Sequence, residues 1–448
     1  MLEKHFIQVI LPLRLEWEPW YYSTEPLDVG CRVTVRNAGR SYIGVVSSVD
    51  GVPGIEERRI REISSVESDL ERILPSEIDF WKFISGYYLC SIGEVYKYAY
   101  PAGEIAAEAK KSKKRIEIRS TSEIQPSLLP PDISKPIAVC GANRSRIYEQ
   151  YISRTLAEGR DVLIIRPDKA KESFATRREY AKAVRSGVPV VIEGNKSNVF
   201  LPFTKLGLVI VDDEDDTSYK SNGAAPRYNG RDAAIMLASI HKAAVIMGSL
   251  IPSLETLLNI RKGKYILKAS EEPVLCDVET IDTEAEFKKN GMIGDRSRKL
   301  LKTEEEVTAG SGKFLEVNSW ELGKAFRLKL EKYSLIAVLH AELMTSGTDF
   351  RADEKYLHLI TRLRSRCRGK LIIQTKVPDR NLSDQEPLLR EREQFGFPPY
   401  TRLIEIRKMD RQEPLKQFFL KKDKTLAARK AEIVKEIPQG CYIDVDPL

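Results

Sequence analysis

The chain has 448 residues, of which 42% are hydrophobic and 31% are charged. It is long enough for about three domains with real cores, and its composition excludes a wholly disordered protein. Lysine and arginine number 72 against 65 aspartates and glutamates, a net charge of +7, which is compatible with a polyanionic partner without requiring one. Because no apolar run approaches the roughly 18 residues that span a bilayer, and the first residues are not those of a secretory leader, we expect a cytoplasmic protein with no membrane partner.

The cysteines and histidines occur singly along the chain. There are six cysteines and four histidines, with no Cys-x-x-Cys pair. This spacing excludes a zinc ribbon, and no histidine stands at ligand spacing from another ligand. We therefore expect no metal site, no zinc and no disulfide framework.

The first quarter of the chain has a β pattern followed by a helical one. Alternating residues at 6–11, 30–35 and 42–46 predict a small sheet or barrel. Apolar residues at helical spacing over 77–88 predict a helix that ends near Gly93. From 104 to 135, a basic run and three prolines, with a fourth at Pro136, predict a linker.

The middle of the chain has the pattern of a parallel α/β sheet. Short, continuous apolar runs are separated by stretches with helical spacing, which is typical of buried parallel strands. These runs cover residues 137–140, 162–165, 190–192, 208–211 and 244–247.

Beyond residue 270 the pattern weakens. Residues 270–335 are charged and weakly periodic, which predicts an irregular stretch. A last unit has strand-like runs at 335–339 and 371–374, then a basic helix-like run at 421–435 and a strand at 442–445.

Five consecutive acids, Asp212 to Asp216, follow an apolar strand, at the edge where open α/β sheets bind ligands. They could hold Mg²⁺ and orient a water for nucleotide hydrolysis, or they could be a solvated acidic loop.

Hydrolysis also needs a loop that binds the phosphates, and the matching position in this chain is 141–149. This segment has one glycine and no lysine, and Ile147 and Tyr148 stand where the last residues of a P-loop would be. This loop is therefore not a standard P-loop. A Gly-Ser-Gly-Lys string at 310–313 follows no apolar strand and is interpreted as a flexible loop.

Three basic stretches stand out on a mildly basic chain. Arg362, Arg364, Arg366 and Arg368 alternate with other residues, so an extended conformation would place all four on one face. Such a face could bind a phosphate backbone, or it could belong to a solvated edge strand whose charges prevent pairing with another chain. The runs at 110–115 and 416–430 are either solubilising or part of the same interface, and together they favour nucleic acid as the partner class.

An aromatic cluster occupies the loop after the first predicted strand. These side chains could stack on a base or could cover the core of the predicted barrel. The cluster consists of Trp17, Trp20, Tyr21 and Tyr22.

Ordered strings through the whole chain resemble the bacterial primosomal protein N′ (PriA) family, the superfamily 2 DNA helicases of replication restart. GNKSNVFLPF at 194–203 is similar to the family's G-T-R-S-A-L-F-x-P-F, DDED at 212–215 to its D-E-E-H, and GSLIPSLET at 248–256 to its G-S-A-T-P-S-L-E-T. Further similar segments are 11–13, 29–33, 43–46, 87–95, 217–220, 226–232, 349–352, 391–404 and 443–447.

The resemblance implies a multidomain α/β chain. It implies an N-terminal small β-rich DNA-binding domain, a RecA-like parallel-sheet helicase lobe, a reduced second lobe and an α+β C-terminal domain. The implied divisions are 1–103 for the 3′-DNA-end-binding domain, 104–135 for a linker in place of the winged helix, 136–270 for lobe one, 271–385 for lobe two without the zinc module, and 386–448 for the C-terminal domain.

The departures from the family pattern concentrate in the motor. Gly141 and Ser145 remain of the phosphate loop, while Ile147 and Tyr148 stand at its lysine and threonine positions. The D-E-E-H string keeps remnant acids and loses its histidine, and only Arg366 aligns with the arginine-finger motif. The remnant acids are Asp212, Asp213 and Glu214.

The DNA-binding residues that the resemblance and the basic patches suggest lie in several segments. Ala38 stands at the family's pocket glycine beside Gly39, and Arg61 stands at its pocket lysine. The full set of DNA-binding candidates is Trp20, Tyr21, Ala38, Gly39, Arg61, Lys196, Arg362, Arg364 and Arg366.

We therefore expect a protein of replication restart and primosome assembly that binds forked, 3′-ended or single-stranded DNA, without helicase activity and without a cofactor. Single-strand-binding protein and primosome proteins are candidate partners. One alternative is an ATP-dependent 3′–5′ DNA helicase that holds ATP and Mg²⁺ at a non-standard site. Another is a remnant that serves as a protein-interaction scaffold.

Overall fold

The structure is a computed structural model that describes residues 3–101, 135–167, 173–282, 313–317, 333–338, 341–345, 349–378, 384–411 and 413–447. These ranges contain four sheets, of six, six, four and three strands. The predicted multidomain α/β class is confirmed. Among the helices of these ranges, none is long and apolar enough to cross a membrane.

The N-terminal region folds as a six-stranded sheet, as the alternating pattern predicts. Ile7 and Val9 are buried while Phe6 and Gln8 are more accessible, so one face of the sheet lies against a core. The strand order is β5-β2-β1-β4-β3-β6. The strands are β1 His5–Ile10, β2 Trp20–Ser23, β3 Arg32–Asn37, β4 Arg40–Val49, β5 Arg61–Glu62 and β6 Ser65–Val66.

Two helices follow this sheet, where the sequence predicted one. Helix α1, Pro75–Tyr88, ends at Leu89, whose φ of 55° is left-handed. The Ser91 side chain then accepts a hydrogen bond from the backbone N–H of Glu94 and caps α2, Ile92–Ala99. The division into two helices depends on this capping serine, because a Ser-x-x-Glu string starts a new helix.

The second sheet has six parallel strands in the order β12-β7-β11-β10-β8-β9. Every residue of β10 is buried, which explains why the strands appear in the sequence as continuous apolar runs. The strands are β7 Ile137–Cys140, β8 Asp161–Ile165, β9 Val191–Gly194, β10 Leu206–Asp212, β11 Ala244–Ser249 and β12 Ile266–Ala269. Its helices are α3 Ser145–Ala157, α4 Phe174–Arg185, α5 Gly230–His241 and α6 Leu254–Arg261.

The third sheet is parallel and has the order β13-β16-β15-β14. Two of its strands lie in the stretch that was predicted to be irregular, so that prediction is wrong there. Strand β13 was missed because it is a largely exposed edge strand, so its sequence DVETID is polar and lacks the apolar run of a buried strand. The elements are β13 Asp277–Asp282, β14 Lys313–Val317, β15 Tyr333–Val338, α7 Ala352–Arg366 and β16 Lys370–Thr375.

The last sheet is antiparallel, in the order β18-β17-β19. The basic run at 416–430 is divided between a strand and a helix, so it does not form a single basic face. The elements are α8 Glu386–Phe395, β17 Thr401–Lys408, β18 Lys416–Lys421, α9 Leu426–Lys435 and β19 Cys441–Val445.

The N-terminal region, the six-stranded parallel sheet and the last sheet share one hydrophobic cluster. The rings of Phe80 and Phe200 meet with centroids 5.3 Å apart. The fully buried amine of Lys220 pairs with Asp444 at 2.7 Å, and the Lys430 amine donates to the carbonyl of Tyr87 at 2.7 Å. The three units therefore pack as one body.

The divisions drawn from the sequence stay a prediction. Residues 104–134 of the predicted linker, with the basic run at 110–115, lie outside the described residues, as do residues 310–312 of the Gly-Ser-Gly-Lys string.

Candidate DNA-end pocket and remnant nucleotide site

The N-terminal sheet brings Tyr21, Arg61 and the turn after β3 to one place. Strand β5 pairs with β2 so that Arg61 stands opposite Tyr21. The Tyr21 hydroxyl donates to the carbonyl of Arg36, the residue before the last of β3, at 3.2 Å. Burial raises the pKa of Tyr21, and the positive charge of Arg61 opposes that rise. Three of the elements named from the sequence thus meet.

The turn itself is open to solvent. Ala38 and Gly39 both have positive φ, 47° and 79°, and they form the two-residue connection between the paired Asn37 and Arg40. A Cβ atom built on Gly39 would meet nothing within 4 Å. The exposed guanidinium of Arg61 makes no ion pair with any residue of the described ranges. A positive group and an open backbone turn therefore flank the Tyr21 phenol.

Trp20 lies on the other side of the same strand. Successive strand residues point to opposite faces, and the Trp20 indole covers Gly51, where a Cβ atom would lie 2.4 Å from the ring. The structure therefore separates Trp20 from the pocket. Trp17, with 68% of its surface exposed, is the more accessible aromatic side chain of this cluster.

Lys196 is turned into the protein. It begins a short 3₁₀ helix, Lys196–Phe200, that Asn195 caps. Its amine donates to the carbonyls of Ser218 and Lys220, both at 2.8 Å. Desolvation, assisted by the nearby Lys220 charge, lowers the pKa of Lys196 to about 8. A lysine held in this way is poorly placed to meet a DNA phosphate.

The arginine series is helical, so the prediction of an extended strand is wrong. Helix α7 contains Arg362, Arg364 and Arg366, which therefore do not share one face. Arg362 is buried and donates to Asp215 and Asp216, both at 3.0 Å. The Arg364 guanidinium donates to a backbone carbonyl at 3.3 Å. Of these three candidates, only the Arg366 side chain makes no ion pair or hydrogen bond within the described residues.

The loop between β7 and α3 occupies the position of a phosphate cradle, but two of its backbone N–H groups are already engaged. The N–H of Gly141 donates to the carbonyl of Ser249 at 3.0 Å, and that of Ala142 to the carbonyl of Glu271 at 2.8 Å. Gly141 has φ of 120°, and a Cβ atom there would lie 2.5 Å from the Glu271 carbonyl oxygen. Because a cradle works through free N–H groups, the first two donors of this loop are not available to a phosphate.

Arg144 and Tyr148 fill the space in front of Asp212. The Arg144 guanidinium donates to Asp212 at 2.8 Å and to Asp213 at 2.7 Å. The Tyr148 hydroxyl donates to the same Asp212 oxygen at 2.8 Å. A Cβ atom on Gly248 would lie 1.6 Å from that hydroxyl, so the phenol is packed directly on the backbone of β11.

The electrostatics of this cluster follow from its burial. Burial raises the pKa of Tyr148, and the neighbouring Asp212 charge raises it further. Desolvation opposes the charge of Arg144, yet the two carboxylates raise the pKa of its guanidinium overall. Asp212 and Arg144 therefore form a partly buried, neutralised pair.

The other acids of the loop also have internal partners. Glu214 is buried and accepts from the N–H and hydroxyl of Ser253, at 2.7 and 2.8 Å. Its pKa is raised by burial, while the Arg231 guanidinium 3.3 Å away opposes that rise. The predicted solvated acidic loop is wrong, since these carboxylates are largely enclosed.

Asp215 joins the loop to the other parallel sheet. Its carboxylate lies 2.8 Å from His358 Nδ1 and 3.0 Å from Arg362, both on α7. Burial would raise the pKa of Asp215, but Arg362 and His358 lower it well below its usual range. Sequence reasoning missed His358, which is 143 residues from Asp215 and carries no local signal.

These residues do not fit a magnesium nucleotide. One oxygen of Asp212 already accepts bonds from Arg144 and Tyr148, and the N–H groups of Gly141 and Ala142 donate to backbone carbonyls. Ser145 opens α3, without a neighbouring lysine. A cavity of about 670 Å³ lies beside Glu214 and Asp215, but its lining does not include Gly141, Arg144 or Tyr148.

Residues 8–101 match the family model of the PriA 3′ DNA-binding domain. The chain is 27% identical over 293 residues to the replication restart protein PriA of Rickettsia prowazekii, which covers 58% of this chain and 45% of that protein. The PriA of Haemophilus influenzae is 36% identical over 149 residues, 28% of this chain and 20% of that protein.

Among solved structures, the DUF1998 helicase MrfA is similar with a TM-score of 0.32 and 12% identity, over 58% of this chain and 49% of that one; this likeness is too weak to place any element. The chain spans about half the length of the first curated relatives it matches, 45%, 50% and 46% of each. The chain is thus similar to the PriA replication restart proteins, and its match to the model of their 3′ DNA-binding domain lies at residues 8–101.

Proposed function

We propose that this protein binds DNA with an exposed 3′ end, at a fork or on a single strand, and acts in replication restart without hydrolysing ATP. One observation carries the proposal. The domain that matches a 3′ DNA-binding domain brings Tyr21, Arg61 and the open turn at Ala38 and Gly39 together at its surface.

The chemistry of this pocket suits a terminal nucleotide. The guanidinium of Arg61 is free to meet a phosphate, and bidentate contacts of this kind position DNA ends. The exposed turn at Ala38 and Gly39 leaves room for the sugar of a terminal nucleotide to approach the backbone. A longer loop at this position would block that approach. Recognition of the terminal hydroxyl would then depend on the shape of the turn and on the Tyr21–Arg36 contact.

The motor side supports a role without turnover. Phosphoryl transfer needs a metal clamp and a positively charged cradle around the phosphates. In this chain Arg144 and Tyr148 both donate hydrogen bonds to Asp212, the carboxylate that would otherwise bind the metal. The six-stranded parallel sheet would then act as a scaffold that holds the N-terminal domain and the last sheet in one body.

The proposal also covers where the protein acts in the cell and which proteins it binds. A restart factor that recognises forks works in the cytoplasm, beside DNA. Single-strand-binding protein and primosome proteins are the partners that the kinship to replication restart proteins suggests.

Binding to two forks that differ only at the 3′ terminus tests the proposal. Fluorescence anisotropy with a 3′-hydroxyl fork should give tighter binding than with a 3′-phosphate fork. Arg61→Ala should weaken the hydroxyl fork by about tenfold, the loss of one good charged contact. Arg58→Ala is the matched control, because Arg58 is exposed but already paired with Glu56 at 2.8 Å.

The outcomes separate the parts of the proposal. Equal affinity for the two forks would exclude recognition of the 3′ end while leaving general DNA binding. Equal effects of Arg61→Ala and Arg58→Ala would remove Arg61 from the pocket. No binding to either fork at about 100 mM salt, where basic contacts still count, would exclude DNA as the ligand.

A further inference from the structure

Strand β12 forms an open edge of the six-stranded parallel sheet. It pairs with β7 on one side, and within the described residues no strand pairs with its other side. The opposite edge strand, β9, is largely buried. On β12, Ile266 and Leu267 are 46% and 54% exposed. Because successive strand residues point to opposite faces, this edge leaves apolar surface in water on both faces of the sheet.

The backbone of β12 has hydrogen-bonding groups on its free side. The N–H of Ile266 donates to the carbonyl of Pro136 at 2.9 Å, and the N–H of Ser270 donates to the carbonyl of Cys140 at 2.7 Å. Alternate residues of a parallel strand turn their N–H and C=O groups to opposite sides. Those of Leu267 therefore face away from β7, where another strand could bind them.

The charges that usually protect an exposed edge are missing from the middle of β12. Charged side chains on an edge strand prevent pairing with another chain, and the edge strands β13 and β18 have them, in the strings DVETID and KQFFLK. On β12 the amine of Lys268 is held by Tyr151 of α3. It lies 5.3 Å from the centre of that ring and donates to its hydroxyl at 3.5 Å.

The two flanks of β12 carry opposite charges, and all four charged side chains are exposed. Lys262 and Lys264 precede the strand, and Glu271 and Glu272 follow it. Glu271 is paired with Arg146 at 2.9 Å. A second copy of the strand in the antiparallel orientation, related by a two-fold axis, would bring the basic flank of each copy to the acidic flank of the other. The charge pattern is therefore complementary to itself.

We propose that β12 pairs with β12 of a second copy of this chain, which joins the two six-stranded sheets edge to edge in a symmetric dimer. The occupant is a second copy because one strand supplies both the apolar centre and the two matching flanks. A four-residue strand buries less than the roughly 1,200 Å² of a stable interface. We therefore expect a weak dimer whose population rises with protein concentration.

The side chains and free backbone groups select one register. A two-fold axis at Lys268 would place two lysines opposite each other, which is unfavourable. An axis at Ile266 would need the N–H of Tyr265, which already donates to the carbonyl of Asn259 at 3.2 Å. An axis at Leu267 avoids both problems. The two copies of Leu267 then exchange both backbone hydrogen bonds, and their side chains meet on one face.

Sedimentation velocity of the full-length chain at increasing concentration tests the association. The sedimentation coefficient of the natural chain should rise with concentration. Leu267→Lys should stay monomeric, because it places two cations at the axis. Val274→Lys is the matched control, since Val274 is 90% exposed and lies outside β12, and it should associate as the natural chain does. A monomeric natural chain, or a Leu267→Lys variant that associates equally, would overturn the proposal.

Oxidative crosslinking of introduced thiols tests the register. The Cα atoms of the two residues at position 267 should lie about 5.5 Å apart, within the range of a disulfide. Those at position 266 are offset by two residues, roughly 6.6 Å along the strand, and with the spacing between strands they exceed the limit of about 7 Å. Under a mild oxidant, Leu267→Cys should give a covalent dimer that disappears on reduction.

Two controls make the crosslinking result decisive. The natural chain, with six free cysteines, sets the background, and Ile266→Cys should not exceed it. Peptide mapping of the dimer should show the two thiols introduced at position 267 joined to each other. Equal yields from Leu267→Cys and Ile266→Cys, or a dimer linked through the natural cysteines alone, would overturn the pairing.

Discussion

Arg362→Ala tests whether the acidic loop serves as a clamp between the two parallel sheets. The guanidinium donates to Asp215 and Asp216 at 3.0 Å each, and the side chains of these aspartates are 4% and 5% exposed. Removing one member of a buried pair costs roughly 3–5 kcal/mol, because the other charge stays buried. His358 still faces Asp215, and the N–H of Ser218 still donates to Asp216, so we expect about 3 kcal/mol.

Chemical denaturation measures this loss, read as the first unfolding transition, since a chain with several domains need not unfold in one step. Arg366→Ala on the same helix is the matched control, and we expect it to change the free energy of unfolding by less than about 0.5 kcal/mol. A double-mutant cycle with Asp215→Asn should give a coupling of about 1–3 kcal/mol. Equal effects of Arg362→Ala and Arg366→Ala, or no coupling, would refute the clamp.

Three further predictions follow from buried groups. Burial raises the pKa of Asp161 to about 6, so the folded state favours the protonated form, and the free energy of unfolding should fall as pH rises from about 4 to 6; Asp161→Asn should remove that dependence in pH-dependent denaturation, and an unchanged profile would contradict it. Lys220→Met should cost about 3–5 kcal/mol by leaving Asp444 buried and unpaired, seen as faster hydrogen exchange in β17 and β19; unaltered exchange there would disprove this docking role. Gly248→Ala should cost about 1–3 kcal/mol because its methyl group would clash with Tyr148, and adding Tyr148→Leu should recover part of the loss in thermal unfolding; if the double variant is no more stable than Gly248→Ala, the packing argument fails.

The elements with one dominant signal could be predicted from the sequence. Strand β10, inside the six-stranded parallel sheet, is buried along its whole length because both faces of the sheet are covered there, so it stands out as an apolar run. The arginine series was wrongly expected to be extended, because over seven residues its alternation has the two-residue period of a strand. The helix begins at Ala352, and its buried Leu359 and Leu363 stand four residues apart, so helical packing decides the conformation.

The candidate site was predicted in part for the same reason. The loss of the phosphate-loop lysine is visible in the residues themselves, and so is the acidic string. That Arg144 and Tyr148 would turn onto Asp212 could not be predicted, because the two segments are 64 or more residues apart. Neither could His358 and Asp215, since no local pattern links residues from separate sheets.

The central claim is that the acids after β10 are engaged internally and the protein does not turn over ATP. Phosphate release measured with ATP, Mg²⁺ and a 3′-hydroxyl fork tests it most directly, with Asp212→Ala combined with Glu214→Ala as the blank. We expect the natural chain to release phosphate no faster than this variant, while its fork binding persists. DNA-stimulated release well above the blank that vanishes in the variant would contradict the account and establish a working nucleotide site.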